Sequence, residues 1–123
     1  MKFTKDISAN GTSLQGEIVT TYAELCQIFG QPNYGPDADM DKTTCEWALQ
    51  FEDGTVATIY DWKTRYTPRG DYSWHIGGDS GFGKRRQDMS AWEMGAGQRA
   101  VEYVTEAIML NREKLYRMVK DHA

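Results

Sequence analysis

Apolar and polar residues alternate with a period of two from Cys45 to Phe51 and again from Val56 to Trp62. The break between them, Glu52-Asp53-Gly54-Thr55, predicts a β-hairpin, because Asp-Gly readily adopts the two positive-φ conformations of a type I′ turn. With Asp53-Gly54 at the centre, Phe51 opposes Val56, Leu49 opposes Thr58, Trp47 opposes Tyr60 and Cys45 opposes Trp62, all on one largely apolar face. The other face then sets Glu46 against Asp61. A third strand over Tyr72-Ser73-Trp74-His75-Ile76 groups Tyr72, Trp74 and Ile76 and turns His75 to the reverse, onto the face of Glu46 and Asp61.

Upstream, residues 3–7 and 14–19 read as short strands separated by an Asn10-Gly11 turn. Thr21-Tyr22-Ala23-Glu24 has the form of a capping box and predicts a helix over about residues 22–29. Leu25, Ile28 and Phe29 form its apolar stripe, Gly30 suits its cap and Pro32 prevents continuation, leaving 31–42 as an exposed loop. Downstream, 77–86 is a glycine-rich loop, and Ser90-Ala91-Trp92-Glu93 opens a long terminal helix. Its stripe, Val101, Val104, Ile108, Leu115 and Met118, has heptad-like spacing, with Asn111 occupying one position. Such a helix either packs across the sheet or pairs with a second copy, and its apolar surface exceeds what one narrow sheet covers, which predicts a homo-oligomer.

The fold class is therefore α+β: a small antiparallel sheet with one short helix and one long C-terminal helix. The 123 residues suffice for one core, which makes 1–123 a single domain divided into a sheet and short helix (1–78), a basic glycine-rich loop (79–89) and the terminal helix (90–123). The sequence has neither an apolar run long enough to span a membrane nor the apolar start of a signal peptide, so a cytoplasmic protein with no membrane partner is expected. Cys26 and Cys45 lack zinc-ligand spacing, and neither a metal, a cofactor nor a disulfide is expected.

Charge sharpens the picture. The formal net charge of −4 argues against general affinity for duplex nucleic acid. Yet between Lys63 and Arg86 six basic residues stand against two acids, a local excess of four positive charges that leaves −8 on the rest of the chain. Gly78 to Lys84 fits the GxxxxGK part of a phosphate-binding loop, but Arg85 follows where that motif needs Ser or Thr, and no βαβ context surrounds it. What survives is a flexible basic loop able to wrap phosphate through amides and charge. Aromatic residues interleave with the cations, as they do where a base stacks while its phosphate is neutralised. Strand alternation buries Tyr60, Trp62, Tyr72 and Trp74 and leaves Tyr66 and Phe82 for a ligand. The candidate ligand-binding set is Lys63, Arg65, Tyr66, Arg69, His75, Phe82, Lys84, Arg85 and Arg86, serving a small anionic ligand. No catalytic role is assigned, because His75 is the only histidine away from the C-terminus. A second possibility is a host-protein inhibitor acting through its acidic exterior, including Asp37, Asp39 and Asp41.

The stretch Cys45-Glu46-Trp47 through Phe51-Glu52-Asp53-Gly54-Thr55-Val56-Ala57-Thr58-Ile59-Tyr60-Asp61-Trp62-Lys63, followed by Trp74-His75-Ile76-Gly77-Gly78, resembles a family of small uncharacterised proteins of tailed phages and large DNA viruses. Tyr22-Ala23-Glu24-Leu25 and Phe29-Gly30-Gln31-Pro32 fit the same pattern, so the resemblance spans roughly residues 14–78 and the tail from Asp79 extends beyond it. The resemblance implies a phage accessory protein working in the host cytoplasm. It would counteract host defence by sequestering a cyclic-nucleotide or NAD-derived signal, or by blocking a host defence or nucleic-acid-processing protein.

Overall fold

A computed structural model describes residues 1–5, 7, 11–35 and 42–122. In chain order the elements are β1 (Phe3–Thr4), β2 (Thr12–Thr20), α1 (Tyr22–Phe29), β3 (Glu46–Phe51), β4 (Val56–Tyr60), β5 (Tyr72–Asp79), a 3-10 turn (Arg86–Asp88), α2 (Ala91–Met94) and α3 (Ala96–Asp121). The strands form one antiparallel sheet in the order β1-β3-β4-β5-β2, so the fold is α+β. The two N-terminal strands do not meet: β1 closes one edge against β3, and β2 closes the other against β5. Among the described residues no helix is long and apolar enough to cross a membrane.

The hairpin forms with a different register from the one its Asp-Gly suggests. Phe51 pairs with Thr55 through a 2.8 Å bond, and Gly54 donates to the Phe51 carbonyl at 2.9 Å. Glu52, Asp53 and Gly54 thus make the loop, and Gly54 takes the left-handed position (φ 92°) that closes a three-residue hairpin with a bulge. Asp53 stabilises this choice by accepting from the Thr55 amide (2.9 Å) and the Tyr103 hydroxyl (2.6 Å). The slip re-pairs every residue: Trp47 with Ile59, Leu49 with Ala57, and Glu46 with Tyr60. Ile59 and Ala57 enter the core, while Tyr60 and Trp62 move to the opposite face.

The core gathers on the face toward the helices. Trp47, Leu49, Phe51, Ala57, Ile59, Trp74 and Ile76 from the sheet pack with Leu25 and Phe29 of α1 and Ala100, Val104 and Ile108 of α3, all at most 3% exposed. Helix α1 begins at Thr21, whose hydroxyl accepts from the Glu24 amide (3.1 Å). The capping box is only half made, because the Glu24 carboxylate turns instead to the Thr20 hydroxyl and to Arg112 of α3. At Ser90 the capping box is complete, but α2 stops at Gly95 and α3 starts afresh.

The glycine-rich stretch is partly strand. Gly78 lies directly beneath α3, where a Cβ would stand 3.0 Å from the Ala100 methyl and 3.1 Å from the Gly97 Cα. A Cβ on Gly77, on the other face, would stand 2.2 Å from the Thr58 hydroxyl. These glycines permit close helix-on-sheet and strand-on-strand approach, so the residues resembling a phosphate-binding loop serve packing at their first position. Both cysteines are free, and burial together with the nearby Asp61 charge pushes the Cys45 thiol up to about 11. The Asp37, Asp39 and Asp41 cluster and Asn10 of the expected turn lie outside the described residues.

Candidate functional site

Strand β5 separates the basic residues that stand together in the sequence. Lys63, Arg65, Tyr66 and Arg69 occupy the connection from β4 to β5 at one end of the sheet, and Phe82, Lys84, Arg85 and Arg86 follow β5 at the other. Eight residues of strand at about 3.3 Å each put the two groups about 25 Å apart. The single basic island becomes two sites, and His75 lies between them on the face turned away from the helices.

The cluster after β5 is largely self-neutralised. Lys84 pairs with Glu93 at 2.9 Å and Arg85 with Asp88 at 3.1 Å, leaving Arg86 without an ion pair among the described residues. Asp79 closes the loop by accepting from the amides of Gly81 (3.1 Å) and Phe82 (2.9 Å). The Phe82 ring rests against Trp92, whose face also carries the Arg99 guanidinium at 4.1 Å. A cleft of about 270 Å³ lined by Ser80, Lys84, Arg86, Met89 and Met94 lies here, but its lysine is already engaged.

At the other end the cations have aromatic neighbours. Lys42, Lys63, Arg65 and Arg69 form no ion pair among the described residues. Lys42 and Lys63 hold their ammonium groups 5.6 and 5.8 Å from the Trp62 ring centre, Arg65 lies 5.5 Å from Tyr66, and Arg69 lies 4.3 Å from Tyr22. Lys63 adopts a left-handed backbone (φ 53°), unusual for a residue with a side chain, and its amide bonds the Lys42 carbonyl at 2.7 Å. That kink brings the two lysines to one indole. Beside them Asp61 is fully buried and accepts from the Thr44 amide (2.7 Å), the Thr44 hydroxyl (2.6 Å) and the Thr64 hydroxyl, which ties both chain segments to the sheet.

Trp62 is the centre of this end. Its ring stacks on His75 (centroids 6.2 Å apart, planes 20° apart), Tyr60 stands edge-on to His75 at 5.4 Å, and 40% of Trp62 stays exposed. His75 Nε2 lies 3.0 Å from a Glu17 carboxylate oxygen. Across the sheet the row runs Glu46, Tyr60, His75, Glu17. Burial raises the Glu46 carboxyl above its ordinary value and, with the Glu46 charge nearby, raises the Tyr60 phenol too. The expected sharing of a face by His75 and Glu46 is present, with Tyr60 between them. Asp61 is on the core side instead, because the slipped register pairs Glu46 with Tyr60, and Glu17 is the carboxylate that reaches His75.

The sequence reading placed Trp62 and Tyr60 in the core and passed over Lys42 and Glu17. Counting three hairpin residues instead of two would have turned both rings outward. For Glu17 the only route was the pairing of β2 with β5, a contact between residues 58 positions apart that no local pattern marks. Chemically, this end offers an exposed aromatic face, ammonium and guanidinium groups with no acid partner among the described residues, and carboxylates farther along the sheet. Among the described residues no group of three or more His, Cys, Asp or Glu side chains is placed to hold a metal. No protein-family model, curated protein or solved structure matches the chain.

Proposed function

We propose that the protein binds and sequesters a small nucleotide-class ligand at the Trp62 end of its sheet. The observation that carries this reading is the exposed Trp62 ring, braced by His75 and flanked by two lysines that have no acid partner among the described residues. A planar base gains about 1–3 kcal/mol from stacking on such a ring. Its phosphate meets Lys42 and Lys63, with Arg65 on the same connection, while Glu17 and Glu46 suit the exocyclic amino groups of a base. A bare phosphate would use the cations alone, and the nearby carboxylates disfavour it. Sequestration in place of turnover follows the resemblance to phage accessory proteins, for which capturing a host defence signal in the host cytoplasm is the corresponding role.

Calorimetry with a panel of cyclic nucleotides, NAD-derived nucleotides, nucleosides and inorganic phosphate tests the proposal. A nucleotide should bind more tightly than nucleoside or phosphate, and Trp62→Ala or the pair Lys63→Ala and Arg65→Ala should weaken it tenfold or more. The triple change of Lys84, Arg85 and Arg86 to Ala should leave affinity unchanged, since those residues lie at the far end of β5. No binding tighter than millimolar, or loss of binding in the triple variant, would overturn it.

A further inference from the structure

Helix α3 is longer than the body it covers. Its 26 residues extend about 39 Å, and only the first part rests on the sheet. Ala96, Gly97, Ala100, Val104 and Ile108 are buried. Among the described residues Asn111 and Arg112 make the last side-chain bonds to the rest of the fold, Asn111 to Gln27 at 3.3 Å and Arg112 to Glu24 at 2.8 Å and to the Val19 carbonyl at 3.0 Å. From Glu113 to His122 every residue except the half-buried Leu115 is exposed, including Tyr116 (68%), Met118 (51%) and Val119 (70%).

The apolar spacing does not stop where the contacts do. Val101, Val104, Ile108, Asn111, Leu115, Met118 and His122 continue one 3-4 seam, the sheet taking its first half, while Leu115 is only half-buried and Met118 is exposed. Most helical stability in proteins comes from packing an apolar face, and beyond Asn111 this seam has only the half-buried Leu115.

We propose that the Glu113–His122 extension pairs antiparallel with the same segment of a second copy, about a two-fold axis passing between residues 116 and 117. Leu115 then meets Met118 of the second copy, Met118 meets its Leu115, and Asn111 meets its His122. The flanking charges select this arrangement. Lys114 falls opposite Asp121 of the other copy, and Asp121 opposite its Lys114, so two opposite-charge pairs form by symmetry. An exposed groove beside this seam is lined by Lys114, Met118 and Asp121 together with Leu110, Glu113 and Arg117. A parallel pair offers Lys114 only Val119 and gains no charge complementarity. Ten residues of helix span about 15 Å, which makes the contact smaller than a standard interface and the association weak and concentration-dependent.

Sedimentation of the full chain from about 10 µM to about 1 mM, where small interfaces assemble, should show a monomer–dimer equilibrium. Leu115→Glu with Met118→Glu should remain monomeric with an unchanged circular dichroism spectrum. Met118→Glu alone, at a more exposed position, gives the same reading if the double variant loses its fold. Lys114→Glu and Asp121→Lys should each weaken self-association several-fold, and an equimolar mixture of the two should recover it. A chain monomeric over the whole range, or a dimer indifferent to Met118→Glu, overturns the proposal and leaves the seam to a different partner. Absence of recovery in the mixture overturns the antiparallel register.

Discussion

Asp61 shows how a single side chain can organise an end of the molecule. It is fully buried, yet its oxygens are occupied by donors from Thr44 and Thr64, so the charge is solvated by the protein itself. Replacing it with Ala strands those donors in the interior and is expected to cost about 2–4 kcal/mol in denaturant unfolding. Two glutamates at the same scale act with opposite sign. Burial works against the Glu24 carboxylate, but bonds from Arg112 and Thr20 outweigh it and hold the group below its ordinary value. Its stabilisation is therefore present above the unfolded carboxylate pKa and lost as pH falls through the lower folded one. Glu46 is raised by burial, so its charge opposes folding near neutrality and that penalty disappears as pH falls through its folded pKa. Glu24→Gln should thus lower stability at pH 7 and Glu46→Gln should raise it, each by less than about 1 kcal/mol. Both differences should shrink towards about pH 3, where carboxylates protonate. Denaturant midpoints at the two pH values check this.

At the scale of elements, the hairpin loop and the seat of α3 depend on particular glycines. Gly54 holds a left-handed φ that any other residue adopts under strain, and Gly54→Ala should cost about 1–2 kcal/mol. Gly78→Ala meets the Ala100 methyl and the Gly97 backbone at 3.0 and 3.1 Å, so the helix must lift off the sheet. The expected loss is about 1–3 kcal/mol, measured by thermal or denaturant unfolding. By contrast, Gly35→Ala has open space at a φ outside the left-handed region and should be near neutral.

For the molecule as a whole, the sheet keeps its two basic ends apart, and the terminal helix reaches beyond the body. From Glu113 to His122 only Leu115 is even half-buried, so a chain ending after Arg112 should fold with stability within about 1 kcal/mol of the full chain. The same truncation should abolish self-association while leaving the Trp62 end intact. Unfolding and sedimentation of the truncated chain, with nucleotide titration beside them, separate the roles of body and extension.

Local chemistry in the chain determined a good deal. Thr21 and Ser90 announce helix starts, Phe29-Gly30 and Pro32 announce a stop, and Trp74 and Ile76 share a face because strand side chains alternate. All of these depend on interactions within a few residues. Tertiary structure decided the rest. Asp53-Gly54 admits both a two-residue and a three-residue loop, and Ile59 in the core against Trp47, with Tyr103 holding Asp53, selects the latter. That one-residue choice turns Trp62 from core to surface. A run of cations from Lys63 to Arg86 appears as one patch only until a strand separates its halves, since nearness in sequence becomes nearness in space only where the chain does not extend between. The pairing of Glu17 with His75 needs β2 to lie along the far edge of the sheet, a long-range closure made by the β2–β5 hydrogen-bond ladder, to which local sequence is blind.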